Sequence, residues 1–175
     1  MSAAPAEPRG LRAFVLTVSD RSARGERADT SGDVLEARLK GLGFAVERAI
    51  VPDDADAIAA AVAGAAREHD LIVTTGGTGL GPRDLTPQAL LPLLDYVIPG
   101  MGEAMRAEGR RSTPNASLSR SFGGVLDRRL VLALPGSPGG ARESLEAVVP
   151  ILSHALSTLA GGGHAEPAAG GHPPR

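Results

Sequence analysis

The stretch Leu71-Ile72-Val73-Thr74-Thr75-Gly76-Gly77-Thr78-Gly79 decides the fold. Its first five residues are apolar or β-branched without interruption, the pattern of a strand covered on both faces. Glycines follow at once, and they let bare backbone amides approach an anion closely. In an open α/β sheet, ligands sit at the carboxyl ends of the strands. Pro82-Arg83-Asp84-Leu85-Thr86-Pro87 comes next and adds a guanidinium and a carboxylate to the same rim. The segment predicts a site for a phosphate-bearing ligand.

Upstream, Leu11 to Ser19 reads as a first strand and Asp20 to Thr30 as a polar loop. A helix capped by Thr30 or Ser31 runs to Gly43, followed by a second strand over Phe44 to Val51. Asp54 caps the next helix, which ends near His69. Beyond the glycine turn, Thr86 and Pro87 start a helix reaching Leu94. This β-α-β-α-β-α order implies a parallel sheet. Pro99 to Gly102 then reads as a break, Glu103 to Arg111 as a short helix and Ser112 to Arg120 as a loop. Phe122 to Leu126 and Arg129 to Leu134 flank Asp127-Arg128 as a hairpin, so at least one strand is antiparallel. Pro135 to Gly140 is a second glycine-rich turn, and a last helix covers Ala141 to Leu159 with a kink at Pro150. The expected domain is residues 11–160, between a flexible N-terminus (1–10) and a disordered tail (161–175) whose His164 and His172 read as solvated side chains.

Composition narrows the function. The 175 residues suit one domain, and with 42% hydrophobic but 2% aromatic residues its core must be aliphatic. A net charge of -2 with no basic stripe argues against a nucleic-acid binder. The absence of cysteine excludes disulfides, zinc–thiolate sites and thiol nucleophiles. No segment has the pattern of a signal peptide or the length of a membrane span, so a cytoplasmic protein without membrane contact is expected. Lys40 is the sole lysine, and no Gly-Lys-Ser/Thr follows the glycines, which excludes a Walker-type loop.

The loops Asp20–Gly25, Pro52–Asp54, Gly76–Asp84 and Pro135–Gly140 all follow strand ends and converge on one crevice. Asp54 is explained as a helix cap, which leaves Asp53 for function. Asp84 either forms a turn with Thr86 or acts at the glycine rim. Two carboxylates beside a phosphate cradle suit Mg²⁺, which would neutralise charge at a transferring phosphorus centre. Asp20-Arg21 is either a functional pair or a surface ion pair. Ser117-Leu118-Ser119-Arg120 offers hydroxyls and a forked cation, or is a solvated loop.

Taken in order, Thr17-Val18-Ser19-Asp20-Arg21, Pro52-Asp53, Thr74 to Gly79 with Arg83 to Pro87, Pro99 to Glu103, Leu118-Ser119-Arg120 and Pro135 to Pro138 form a specific set. Across Leu11 to Leu159 it resembles the MogA/MoaB molybdopterin-binding family of molybdenum cofactor biosynthesis. The resemblance implies a three-layer, doubly wound α/β fold and a homotrimer. It implies a molybdopterin adenylyltransferase that uses ATP, molybdopterin and Mg²⁺ and contacts the molybdenum insertase transiently. By the same resemblance Asp53 and Asp84 are the catalytic and metal-holding carboxylates. Ser19, Asp20, Gly76, Gly77, Thr78, Gly79, Arg83, Gly136, Ser137 and Pro138 fall on the nucleotide and phosphate side, and Ser117, Ser119 and Arg120 on the pterin side. Two other readings stay open: a non-catalytic molybdopterin carrier or scaffold of this fold, and a nucleotide-binding domain with a different substrate.

Overall fold

The structure, a computed structural model, describes residues 10–161. The expectations for the two chain ends, including His164 and His172, fall outside the described residues apart from Gly10 and Gly161.

Six strands form one sheet: β1 (Arg12–Val18), β2 (Ala45–Val51), β3 (Leu71–Thr75), β4 (Tyr96–Ile98), β5 (Phe122–Leu126) and β6 (Arg129–Leu134), in the order β2-β1-β3-β6-β5-β4. β1, β2, β3 and β6 are mutually parallel, and β5 runs antiparallel to both β6 and β4. This is the mostly parallel sheet with one reversed strand that the sequence predicts.

The layers follow from side-chain alternation along the strands. Ala13, Val15, Leu71, Val73, Leu130 and Leu132 face α2 (Thr30–Gly41), α5 (Pro99–Gly109) and α6 (Pro138–Leu159). Leu16, Val18, Ile72, Val131 and Ala133 face α3 (Ala55–Ala65) and α4 (Thr86–Leu90). All five residues of β3 are buried, as its unbroken apolar run requires. The chain leaves β1 outward to β2, then returns past β1 to β3, so the winding reverses between β1 and β3. That reversal opens a crevice at the strands' carboxyl ends.

Several local expectations are corrected. Asp29, rather than Thr30 or Ser31, caps α2, accepting from the Gly32 amide at 2.9 Å. The polar loop after β1 contains a one-turn helix, α1 (Asp20–Ala23), capped by Ser19. Pro99 to Gly102 is the first turn of α5 and not a break: proline is tolerated there. A Cβ on Gly102 would lie 2.7 Å from the Ser121 carbonyl oxygen, so the glycine serves close packing. The edge strand β4 was not expected, because three partly exposed residues give no readable alternation. α6 starts three residues early, at Pro138, and continues through Pro150. Among the described residues no helix is long and apolar enough to cross a membrane.

Thr74 is fully buried, and its hydroxyl lacks a hydrogen-bond partner among the described residues. Thr74→Val removes that orphaned group, so urea unfolding should show unchanged or higher stability, by up to about 1 kcal/mol. A loss of that size would mean that the hydroxyl is satisfied.

Candidate active site

The glycine turn is shaped by close approach. Gly76 and Gly77 have φ of 105° and 65°, a region L-residues rarely adopt. A Cβ on Gly76 would collide with the Val18 carbonyl oxygen, and one on Gly77 with the Thr86 hydroxyl. The turn is pinned from several sides. The Gly76 amide donates to Leu134 O at 3.1 Å, and the Thr86 amide to Gly77 O at 3.1 Å. The Thr86 hydroxyl donates to Gly76 O at 2.8 Å, and the Thr75 hydroxyl to Pro135 O at 2.7 Å. Thr86 therefore braces the turn and does not cap α4. The amides of Gly77, Thr78 and Gly79 are left without a protein acceptor among the described residues, as are those of Gly136 and Ser137. Ser137 caps α6, taking the Gly140 amide at 3.2 Å, so the positive end of a 22-residue helix meets the same edge.

Asp53 and Asp84 line one cavity of about 320 Å³ together with Ser19, Gly76, Gly77 and Gly136. Asp20 stands behind Asp53, and the two grip each other. The Asp20 amide donates to Asp53 Oδ2 at 2.9 Å, and the Asp53 amide to Asp20 Oδ1 at 3.0 Å. Arg83 donates to the other Asp20 oxygen and reaches Asp53 O at 3.4 Å. The Asp53 amide, and then Arg83, hold the Asp20 carboxyl below its usual range despite partial desolvation. Asp84 Oδ2 takes the Gly81 amide at 2.8 Å, a turn formed backward and not toward Thr86. Each of Asp53 and Asp84 thus keeps one carboxylate oxygen without a protein donor among the described residues. Asp54 caps α3 as expected, accepting from Ala57 at 2.9 Å.

Among the described residues no three acidic, histidine or cysteine side chains cluster as a metal cage. Two part-free carboxylates fit an ion that retains waters and phosphate oxygens, as Mg²⁺ does.

The arginines divide differently from the sequence reading. Arg120 braces the turn: it donates to Gly79 O at 2.8 Å, Asp84 O at 2.6 Å and Gln88 Oε1 at 3.1 Å. Arg83 donates to Asp20 through Nη2 alone, and its side chain is otherwise exposed. Neither lines the cavity with Asp53 and Asp84, and neither do Ser117 and Pro138. Arg27 does line it, and has no protein partner among the described residues. Sequence reasoning missed Arg27 because one arginine among several in a polar loop carries no spacing signal. It also missed Asp29, a third carboxylate on the lining of the same cavity, which accepts from Thr17 Oγ1 at 2.8 Å and from Arg48 at 2.6 Å.

A neighbouring cavity of about 480 Å³ shares Gly77, Asp84, Gly136 and Ser137 with the first and adds Gly79, Leu80, Leu118 and Ser119. A third, about 350 Å³, joins it through Asn115, Ser119, Pro135 and Ser137. Shared residues thus link the three into a groove with an acidic, amide-rich end and a distal end beside α5.

Burial works against the Asp29 charge, but the Gly32 amide, the Thr17 hydroxyl and Arg48 outweigh it and hold the carboxyl below its usual range. Its stabilisation is complete above the unfolded value near 3.9 and is lost as pH falls through the lower folded value. Asp29→Asn should cost about 2 kcal/mol at pH 7. In urea unfolding across pH, the gap from wild type should narrow below about pH 4.

Residues 14–154 match the family model described as a probable molybdopterin binding domain. The chain is 38% identical over 154 residues to the molybdopterin adenylyltransferase of Helicobacter pylori strain J99, covering 84% of this chain and 86% of that protein. It is 42% identical over 157 residues to a molybdenum cofactor biosynthesis bifunctional protein of Synechococcus elongatus, covering 89% of this chain. The chain spans about half of that relative, 49% of its length. Among solved structures, the molybdopterin biosynthesis enzyme MoaB of Thermus thermophilus superposes with a TM-score of 0.79 at 50% identity, covering 86% of this chain and 97% of that one.

Proposed function

The chain belongs to the molybdopterin-binding domain family of molybdenum cofactor biosynthesis, and on that premise we propose that it transfers the adenylyl group of ATP to the terminal phosphate of molybdopterin. The observation that carries this reading is the meeting of Asp53, Asp84 and the Gly76-Gly77 turn on one cavity wall. The name of the Helicobacter relative, matched over most of both chains, supports the same reaction.

An oxygen of the pterin's phosphate attacks the α-phosphorus of ATP. A new P–O bond forms, the bond from that phosphorus to the oxygen bridging to the β-phosphate breaks, and pyrophosphate leaves. The attacking phosphate is already an anion, so no protein nucleophile is needed. Positioning and charge stabilisation then carry the catalysis. The free amides of Gly77 to Gly79, with those of Gly136 and Ser137, cradle phosphate oxygens. Arg27 supplies the uncommitted cation for the outer phosphates. Asp53 and Asp84 would hold Mg²⁺, which neutralises charge developing on the phosphates when bound. Asp20 and Arg83 fix the loop that presents Asp53, and Arg120 fixes the turn that presents Asp84. Ser119 stands toward the pterin end. The family resemblance further supports a cytoplasmic homotrimer that meets the molybdenum insertase. The exposed Tyr96 and Val97 on edge strand β4 offer one surface for subunit contact.

Protein, molybdopterin, ATP and Mg²⁺ together should yield adenylylated molybdopterin and pyrophosphate. Pterin binding without pyrophosphate release would instead identify a carrier. Asp53→Asn and Asp84→Asn should each lower kcat on the order of 10²–10³-fold with an unchanged melting temperature. Wild-type turnover by Asp84→Asn would overturn its assignment. Arg27→Ala should raise the KM for ATP about tenfold and leave the KM for molybdopterin unchanged.

A further inference from the structure

We propose that Glu143 selects the pterin ring, accepting hydrogen bonds from the 2-amino and N3–H groups of its pyrimidinone edge at the distal end of the groove. This rests on the pterin substrate proposed above and adds the residue that reads it.

The distal cavity, about 350 Å³, lies between α5, the 3₁₀ turn Pro114–Leu118 and the first turns of α6. Met105, Ala116 and Pro135 contribute apolar wall, and Glu143 is the one carboxylate on its lining. Glu143 is half-buried, and its Oε1 accepts from the Ser112 hydroxyl at 2.7 Å, which orients the group. Its Oε2 has no protein donor among the described residues. Such an oxygen in a concave, partly apolar site favours a ligand that brings its own donors.

Arg106 lines the same cavity. Its Nη1 is committed to the carbonyls of Ser121 and Ser119, at 2.7 and 3.3 Å, while Nε and Nη2 have no protein acceptor among the described residues. A 2-amino-4-oxopyrimidine edge presents two donors beside one carbonyl acceptor. A carboxylate and a guanidinium are the complementary pair.

No aromatic residue lines this cavity, in a chain with no tryptophan, one tyrosine and three phenylalanines. Ring recognition by stacking is therefore not available there, and selectivity falls to hydrogen bonds. Ser119, Pro135 and Ser137 connect this end to the cavity that holds Asp84, so a ring seated here directs its phosphorylated side chain toward the amide cradle.

Guanine carries the same edge, so the experiment has to separate the two. Binding of 6-hydroxymethylpterin, and of the lumazine analogue in which oxygen replaces the 2-amino group, would be measured on wild type and Glu143→Gln, with guanosine as competitor. The KM for molybdopterin and for ATP would be measured on both proteins. The expected result is that wild type prefers the pterin over the lumazine about tenfold or more, and that Glu143→Gln loses this preference. The molybdopterin KM should rise by a similar factor while the ATP KM and the melting temperature stay unchanged. Ser112→Ala should give a smaller change in the same direction. An unchanged pterin preference and molybdopterin KM in Glu143→Gln would overturn the inference and leave the proposed reaction standing. Displacement of the pterin by guanosine, with a dependence on Glu143, would assign the cavity to a guanine nucleotide and overturn it too. A wild-type protein that neither binds nor adenylylates molybdopterin would remove the proposed function, and this inference with it.

Discussion

Gly76 lies against the carbonyl of Val18 with no room for a side chain, and the rest of the site depends on that contact. β1 and β3 are neighbours in register, Thr17 opposite Thr75, so their ends emerge together. The chain can leave β3 there only by turning through positive φ at Gly76 and Gly77. Glycine makes the turn possible but carries an entropic cost. Hydrogen bonds from Gly76, Thr75 and Thr86 to the surrounding backbone offset part of it. They also use up the inward-facing groups, and the amides of Gly77, Thr78 and Gly79, residues that line the neighbouring cavity, are left without an acceptor among the described residues.

The proposed phosphate site, with aspartates on its rim, faces an electrostatic difficulty, since carboxylates and phosphates repel. The structure meets it by sorting the acids. Asp20 is neutralised by Arg83 and stabilised by the Asp53 amide, away from the cavity lining. Asp29, Asp53 and Asp84 stay on the lining; Asp29 is engaged through both oxygens, while Asp53 and Asp84 each have one oxygen held by a backbone amide and one without a donor among the described residues. On the proposed reading, Asp53 and Asp84 would hold a divalent cation, and its charge would offset the repulsion between carboxylates and phosphates. Behind this arrangement the Arg48 guanidinium gathers Asp29, Asp33 and Glu36 at 2.6 to 2.7 Å, tying the start of α2 to β2. The loop bearing Arg27 ends at Asp29 and is anchored through it.

What the sequence revealed follows from where the physics is local. β3 and its turn were legible because a fully buried parallel strand has to be apolar throughout, and because only glycine tolerates the backbone that follows. The hairpin at Asp127-Arg128 was legible from two apolar runs separated by two residues; both turn residues have positive φ, 47° and 62°. β4 was not, since three edge residues leave no pattern. Pro99 to Gly102 looked like a break because the need for Gly102 arises from its distant neighbour Ser121. In the site, Asp53 stood out once Asp54 was recognised as a cap. For Arg120, spacing left a forked cation or a solvated loop open, because it does not say which carbonyls a guanidinium faces; in the structure these are Gly79 O and Asp84 O. Arg27 went unnoticed for the converse reason: it lines the cavity with no partner among the described residues, a property of the folded surroundings alone.

On the proposed reading, the amides after β3 and before α6 hold phosphate oxygens between Asp53 and Asp84. The most direct measurement is an amide-resolved NMR titration of the protein with Mg²⁺ and a non-hydrolysable ATP analogue. The largest shifts should fall at Gly77, Thr78, Gly79, Gly136 and Ser137, present with Mg²⁺ and much reduced without it. Largest shifts at the opposite edge of the sheet, around Asp70, Arg128 and Arg129, with the glycine turn unmoved, would contradict it.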